Sequence, residues 1–169
     1  MPAPALYAVE SLQTYLKARN IKHQIRDQYA CIFPFIFHIE DKTLHTDCIY
    51  QIGINKNKEA EFLYADTLLA ITIPDENLNR HALTLCNAVN HEAVTSGGYI
   101  VFNYDYDNRF MYRNGLILPD HRLDHDLLDK LFGYTHVMID AFVRTLAGAL
   151  EGWGLRMRRR TDTFYEVVG

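Results

Sequence analysis

Residues 83–118 read LTLCNAVNHEAVTSGGYIVFNYDYDNRFMYRNGLIL, and this stretch decides the fold. Leu78, Ala82, Leu85, Cys86, Val89 and Ala93 recur at helical spacing. That predicts a helix from about Asn77 to Ala93, ending at Thr95-Ser96-Gly97-Gly98. Asp75 and Asn77 are candidate caps, and Glu76 sits where the helix dipole favours negative charge. A hairpin is expected next, with Tyr99–Phe102 and Phe110–Leu118 on either side of Asp107-Asn108, residues that tolerate the left-handed backbone of a tight turn. Just beyond Pro119 another helix begins.

Working outward, Leu6, Val9, Leu12 and Leu16 repeat at helical spacing after Pro4, and Asn20 is a plausible stop. The pattern then changes to strands: Ile21–Arg26 as a lead-in, followed by Tyr29–Ile39, Thr43–Ile54 and Phe62–Ile73. Breaks fall at Asp27-Gln28, Glu40-Asp41-Lys42 and Asn55-Lys56-Asn57-Lys58. Pro34 has no N–H to give a ladder, which puts its strand at a sheet edge or a bulge. The closing helix, from about Asp124 to Leu150, opens on Asp124, Asp126 and Asp129. Its apolar residues, among them Leu131, Phe132, Met138, Ile139, Phe142 and Leu146, cover more of its circumference than one sheet face needs. A second subunit, the C-terminal tail or a bound peptide is expected to cover the remainder.

The expected fold is therefore α+β, an antiparallel, curved sheet of five to six strands with three helices in the order α-β-β-β-α-β-β-α. With 169 residues, of which 49% are hydrophobic, the chain can bury one substantial core. The domain is expected to span residues 1–152, with residues 153–169 as an arginine-rich tail. A formal charge of −4 argues against a globally basic nucleic-acid binder. The opening residues lack the basic and apolar regions of a secretory leader, and no apolar run approaches the ~20 residues of a membrane span. Cys31, Cys48 and Cys86 show no CxxC spacing and lie in apolar patterns, as buried reduced thiols would. A cytoplasmic protein is the expectation.

Leu83-x-Leu85-Cys86-Asn87-x-x-Asn90, the step to Gly98-Tyr99-Ile100-Val101-Phe102, and then Phe110-Met111-Tyr112-Arg113-Asn114-Gly115-Leu116-Ile117-Leu118 carry a family resemblance. The pattern resembles the YbjN family and its structural relatives, the class I type III secretion chaperones, over roughly Leu6 to Leu150. The resemblance implies a small α+β protein, commonly dimeric, that binds peptides or partner proteins and carries no established enzyme chemistry. The arginine-rich tail departs from the family pattern.

Several constellations could carry chemistry. His121-x-x-x-His125, beside Asp120, Asp124 and Asp126, has a spacing that can hold a metal on a helix. It is not HExxH and no third ligand can be named, so capping aspartates and solvated histidines explain it better. Asp105-x-Asp107-Asn108 lacks the glycine and distal glutamate of a calcium loop. Ser96 lacks the flanks of a nucleophile elbow. His38 and His45 flank a turn and are expected to face each other across it.

In the tail, Arg156, Arg158, Arg159 and Arg160 place four guanidinium groups within five residues, and Thr161–Val168 has strand-like composition. Arginine forks grip carboxylates and phosphates, and the acidic body favours an acidic protein surface over nucleic acid. If Phe164, Tyr165, Val167 and Val168 add to a sheet edge, the arginines form a clasp. The expected function is a non-enzymatic protein- or peptide-binding module, chaperone-like or regulatory, acting as a homodimer with no cofactor, no metal and no membrane partner. Phe132, Met138, Phe142, Arg156, Arg158, Arg159 and Arg160 are its candidate partner-binding residues. The alternative is a small metal-binding protein or hydrolase using His121, His125 and neighbouring acids.

Overall fold

A computed structural model describes residues 4–27, 30–54, 61–92, 98–105, 107–118 and 123–169. The element order is α1 (Pro4–Ala18), β1 (Gln24–Asp27), β2 (Ala30–Ile39), β3 (Lys42–Ile54), β4 (Glu61–Thr72), a single 3-10 turn (Glu76–Leu78), α2 (Asn79–Glu92), β5 (Gly98–Asn103), β6 (Arg109–Leu118), α3 (His125–Gly152), β7 (Arg156–Arg159) and β8 (Tyr165–Val168). The expected turn at Asn55–Lys58, Ser96 with its neighbours Thr95 and Gly97, and the segment Pro119-Asp120-His121-Arg122 lie outside the described residues.

Side-chain caps and left-handed residues set the element ends. Asp124 accepts the Leu127 N–H at 2.7 Å and starts α3, while Asp75 accepts the Asn77 N–H at 2.9 Å ahead of α2. After α1, Asn20 turns left-handed at φ 56°, and the Ile21 N–H bonds back to the Leu16 carbonyl at 2.9 Å. Asp107 and Asn108 are both left-handed, φ 54° and 53°. Their carbonyls accept from Thr72 Oγ1 at 2.5 Å and from the Ile73 N–H at 3.1 Å, which ties the hairpin turn to the end of β4.

Among the described residues one sheet of eight strands forms, with the principal order β1-β2-β3-β4-β6-β5. It exceeds the expected five to six for two reasons. The lead-in after α1 is a strand of its own, and the C-terminal segment adds two more. All pairings are antiparallel except β4–β8, where Ile71 and Thr72 run parallel to Tyr165 and Glu166. Beyond the Thr46–Leu69 pair β3 parts from β4, and the C-terminal hairpin enters there, with the Thr163 carbonyl accepting the His45 N–H at 3.0 Å. β1 pairs with β2 only from Ala30 to Ile32. Pro34 consequently lies on a stretch of β2 with no second neighbour among the described strands, where its missing N–H breaks no ladder.

All three helices pack on one face of this sheet. One core cluster joins Val9, Leu12, Tyr15 and Leu16 of α1 to Cys31, Phe33, Tyr50 and Leu63 of the sheet and to Leu128 and Leu131 of α3. A second gathers Ala82, Leu85, Cys86 and Val89 of α2 with Ile100, Phe102 and Phe110, with Met138, Ile139, Phe142 and Leu146 of α3, and with Tyr165 and Val167 of β8. The wide apolar face of α3 is thus met by the same chain, from α1 and α2 on its flanks and from the C-terminal hairpin. Trp153, Leu155 and Met157 also pack on the second cluster. Residues 153–169 share the core of the residues before them, and no structural boundary falls at Gly152.

Candidate functional site

Strand alternation assigns Leu44, Thr46, Cys48 and Tyr50 of β3 to the helix side and Thr43, His45, Asp47, Ile49 and Gln51 to the other. Cross-strand register extends that second face across the sheet. One row runs Ile32–Ile49–Asp66–Arg113–Tyr99 and the next Pro34–Asp47–Leu68–Met111–Val101. Neither core cluster contains any of these residues. Ile117 is 68% exposed, Ile36 48%, Tyr99 46% and Tyr64 43%. Among the described residues no helix covers this outer face.

Polar pairs sit among the apolar residues of the outer face. Arg113 forks onto Asp66 with two bonds of 2.7 Å, and that carboxylate holds the guanidinium above its usual range. Tyr64 stands opposite Gly115, and its ring lies 3.9 Å from where a Cβ on that glycine would be, covering a bare stretch of backbone.

The two edges of the sheet differ. At β5 the Asn90 side chain donates to the Ile100 carbonyl at 2.8 Å and accepts the Ile100 N–H at 2.7 Å, occupying both backbone groups of that residue on the outermost strand. Along β2 from Phe33 to Ile39 the described residues provide no such cover. Beside that edge a small cavity of about 140 Å³ is walled by Tyr15, Arg19, Ile21, Phe35 and Phe132. The Tyr15 hydroxyl donates to Asp129 at 2.6 Å, and the Arg19 guanidinium lies 3.6 Å above the Tyr15 ring. Burial and then the Asp129 bond raise the Tyr15 pKa.

The residues expected to bind a partner separate into groups. Phe132 is half-buried, within 5.7 Å ring-to-ring of Phe33, Phe35, Tyr15 and Tyr50, and opens into the cavity beside β2. Met138 and Phe142 are 3% and 0% exposed. Their expectation is corrected: both face the sheet core, because helical periodicity marks apolar positions without saying which of them the chain itself covers. Arg158 pairs with Glu166 directly across the hairpin, Nε to Oε1 at 2.7 Å, and Arg159 pairs with Asp162 at 2.9 Å. These two serve the hairpin, while Arg156 and Arg160 make no ion pair among the described residues and line separate cavities.

Sequence reasoning missed a constellation on the outer face. His45 does not face His38, which instead meets Thr43 Oγ1 at 3.3 Å. His45 Nε2 lies 3.1 Å from Asp47 Oδ1, and Asp47 Oδ2 lies 3.5 Å from Arg109 Nη1. Arg109 is held from behind by the Leu69 and Leu68 carbonyls, at 2.7 and 3.3 Å. Burial lowers its pKa, and Asp47 and Asp107 offset that in part. The available signal was His45-x-Asp47, two polar residues on one side of a strand. Arg109 joins them only through the sheet pairing.

Chemistry at the other sites is limited. His121 lies outside the described residues, and His125 sits edge-on to Tyr15 with ring centroids 5.4 Å apart. Among the described residues no group of three His, Cys, Asp or Glu is arranged to hold a metal ion. The three cysteines are buried free thiols. Burial pushes the Cys31 pKa up to about 11 and those of Cys48 and Cys86 to about 12, leaving little thiolate for nucleophilic attack. No described helix is long and apolar enough to cross a membrane.

Among the described residues the fold is an α+β domain whose sheet is covered by helices on one face and bears no helix on the other. Comparison of the chain with protein-family models, with curated proteins and with solved structures gives no match.

Proposed function

We propose that the chain is a non-enzymatic protein- or peptide-binding module, chaperone-like or regulatory, that works as a homodimer in the cytoplasm. The uncovered outer face carries this reading: apolar and aromatic side chains stand exposed in register across strands that the inner core already holds rigid. The free stretch of β2, with the Phe132 cavity beside it, offers backbone groups and a side-chain slot to an extended peptide. The resemblance to the YbjN family and the type III secretion chaperones points the same way. Self-pairing rests on this exposed face, since the chain covers the apolar face of α3 by itself.

The test replaces Ile36 and Ile117 by Asp together. Both side chains are exposed, so the melting temperature should hold. A defined set of proteins captured from native lysate by the parent chain should be lost, and light scattering should show a dimer for the parent and a monomer for the variant. Unchanged capture by the variant contradicts the binding reading, and a parent chain monomeric at micromolar concentration removes the homodimer from it.

A further inference from the structure

Where the C-terminal hairpin meets the outer face, an open cleft of about 380 Å³ is lined by His45, Asp47, Arg109, Arg160, Thr163 and Phe164, with Thr161 at its rim. We infer that this cleft is a binding site for a carboxylate group. Arg109 is fixed in place, with its Nε and one terminal nitrogen on main-chain carbonyls and the other 3.5 Å from Asp47. That last separation is too long for a strong hydrogen bond, so Nη1 retains capacity for an incoming acceptor. Arg160 is exposed and has no carboxylate within 4 Å among the described residues. The Phe164 ring lies beside both, its centroid 5.6 Å from one guanidinium carbon and 6.0 Å from the other. The cleft therefore holds one rigid and one adjustable guanidinium about an aromatic wall.

Charge and shape select the ligand. Two guanidinium groups line the cleft against the single lining carboxylate of Asp47, with Asp107 acting on Arg109 from outside the lining, which favours a singly charged anion over a phosphate dianion. Arg160, with no carboxylate partner among the described residues, offers the planar fork that matches a planar carboxylate. The Phe164 ring receives an apolar body attached to the acid. The cleft stands whether or not a protein docks on the rest of the face.

Isotope-labelled full-length chain is titrated with phenylacetate, and separately with inorganic phosphate, while the amide signals of His45 and Thr163 are followed. Saturable shifts at both amides with phenylacetate are expected. Arg160→Ala should weaken that binding about tenfold, as loss of a charge-assisted bond does. Arg156→Ala, in the same hairpin but lining a different cavity, should leave it unchanged. No saturable shift, phosphate binding as tightly as phenylacetate, or an Arg160→Ala affinity equal to the parent's would overturn the assignment. A tripeptide Ala-Ala-Phe and its amide identify the source of the acid. Tighter binding of the peptide acid than of phenylacetate assigns a polypeptide C-terminus, the reverse assigns a free organic acid, and equal binding of peptide acid and amide rejects the site.

Discussion

The two faces of this sheet arise from the same alternating strands and carry different burdens. On the inner face Phe33, Phe110 and Tyr112 are fully buried under three helices, and each buried side chain of that size contributes about 2 to 3 kcal/mol. On the outer face Leu68 and Met111 are buried, but Ile117 and Ile36 are mostly or half exposed, and those two contribute little to folding. Among the described residues two groups on the outer face are strongly organised, the Arg113–Asp66 fork and the Asp47 constellation with His45 and Arg109. Stability is thus concentrated on one side of the sheet and the proposed recognition on the other, so the two are separable by mutation.

The largest expected effect comes from ending the chain after Trp153. That removes Leu155, Met157, Tyr165 and Val167 from the core and strips Ile71 and Thr72 of a strand partner. A loss of roughly 4 kcal/mol or more is expected, read as the urea midpoint. A midpoint within error of the full chain's would show that the hairpin is not part of the inner core. Phe142→Ala, on α3 with its ring tilted against Phe110 at 4.8 Å between centroids, should cost about 3 to 5 kcal/mol. A cost below about 1 kcal/mol would mean that α3 does not seal the sheet as described.

A smaller loss is expected on raising the pH. Cys48 and Cys86 are raised from 9.0 to about 12 by burial in the folded chain. A raised folded pKa contributes stability that is whole below the unfolded value, near pH 9, and is lost as the pH climbs towards 12. Unfolding free energy measured from pH 8 to 11 should fall, and thiol reagents should label these cysteines only as fast as the chain opens. Rapid labelling of the folded protein at pH 8 would contradict the seal. The smallest effect belongs to the outer face, where Ile117→Ser should shift stability by no more than about 0.5 kcal/mol. A shift above about 2 kcal/mol would mean that something covers this face and would collapse the contrast.

Local chemistry made the element ends legible. Asp75 and Asp124 act as caps, Asn20 ends α1, and Asp107-Asn108 turns the hairpin, because each of these is decided within a few residues. The fate of the arginine-rich segment was less legible. Its strand composition was readable, but its partner β4 lies more than 90 residues earlier in the chain, and composition carries no information about so distant a pairing. The breadth of the apolar face on α3 was readable too, but not its cover, which assigned Met138 and Phe142 to a partner when the chain buries them itself. The carboxylate cleft was hidden because β3, β6 and the β7–β8 turn supply its residues from three separate parts of the sequence.

The separation of the two faces is tested most directly by photocrosslinking from one position on each. A photoreactive phenylalanine analogue replaces Ile117 on the outer face or Val137, comparably exposed at 62% on the helix side, and both chains are irradiated in native lysate. Discrete adducts from position 117, with none or only diffuse background from position 137, are the predicted result. Adducts of equal yield from both positions, or discrete adducts from position 137 alone, would contradict it.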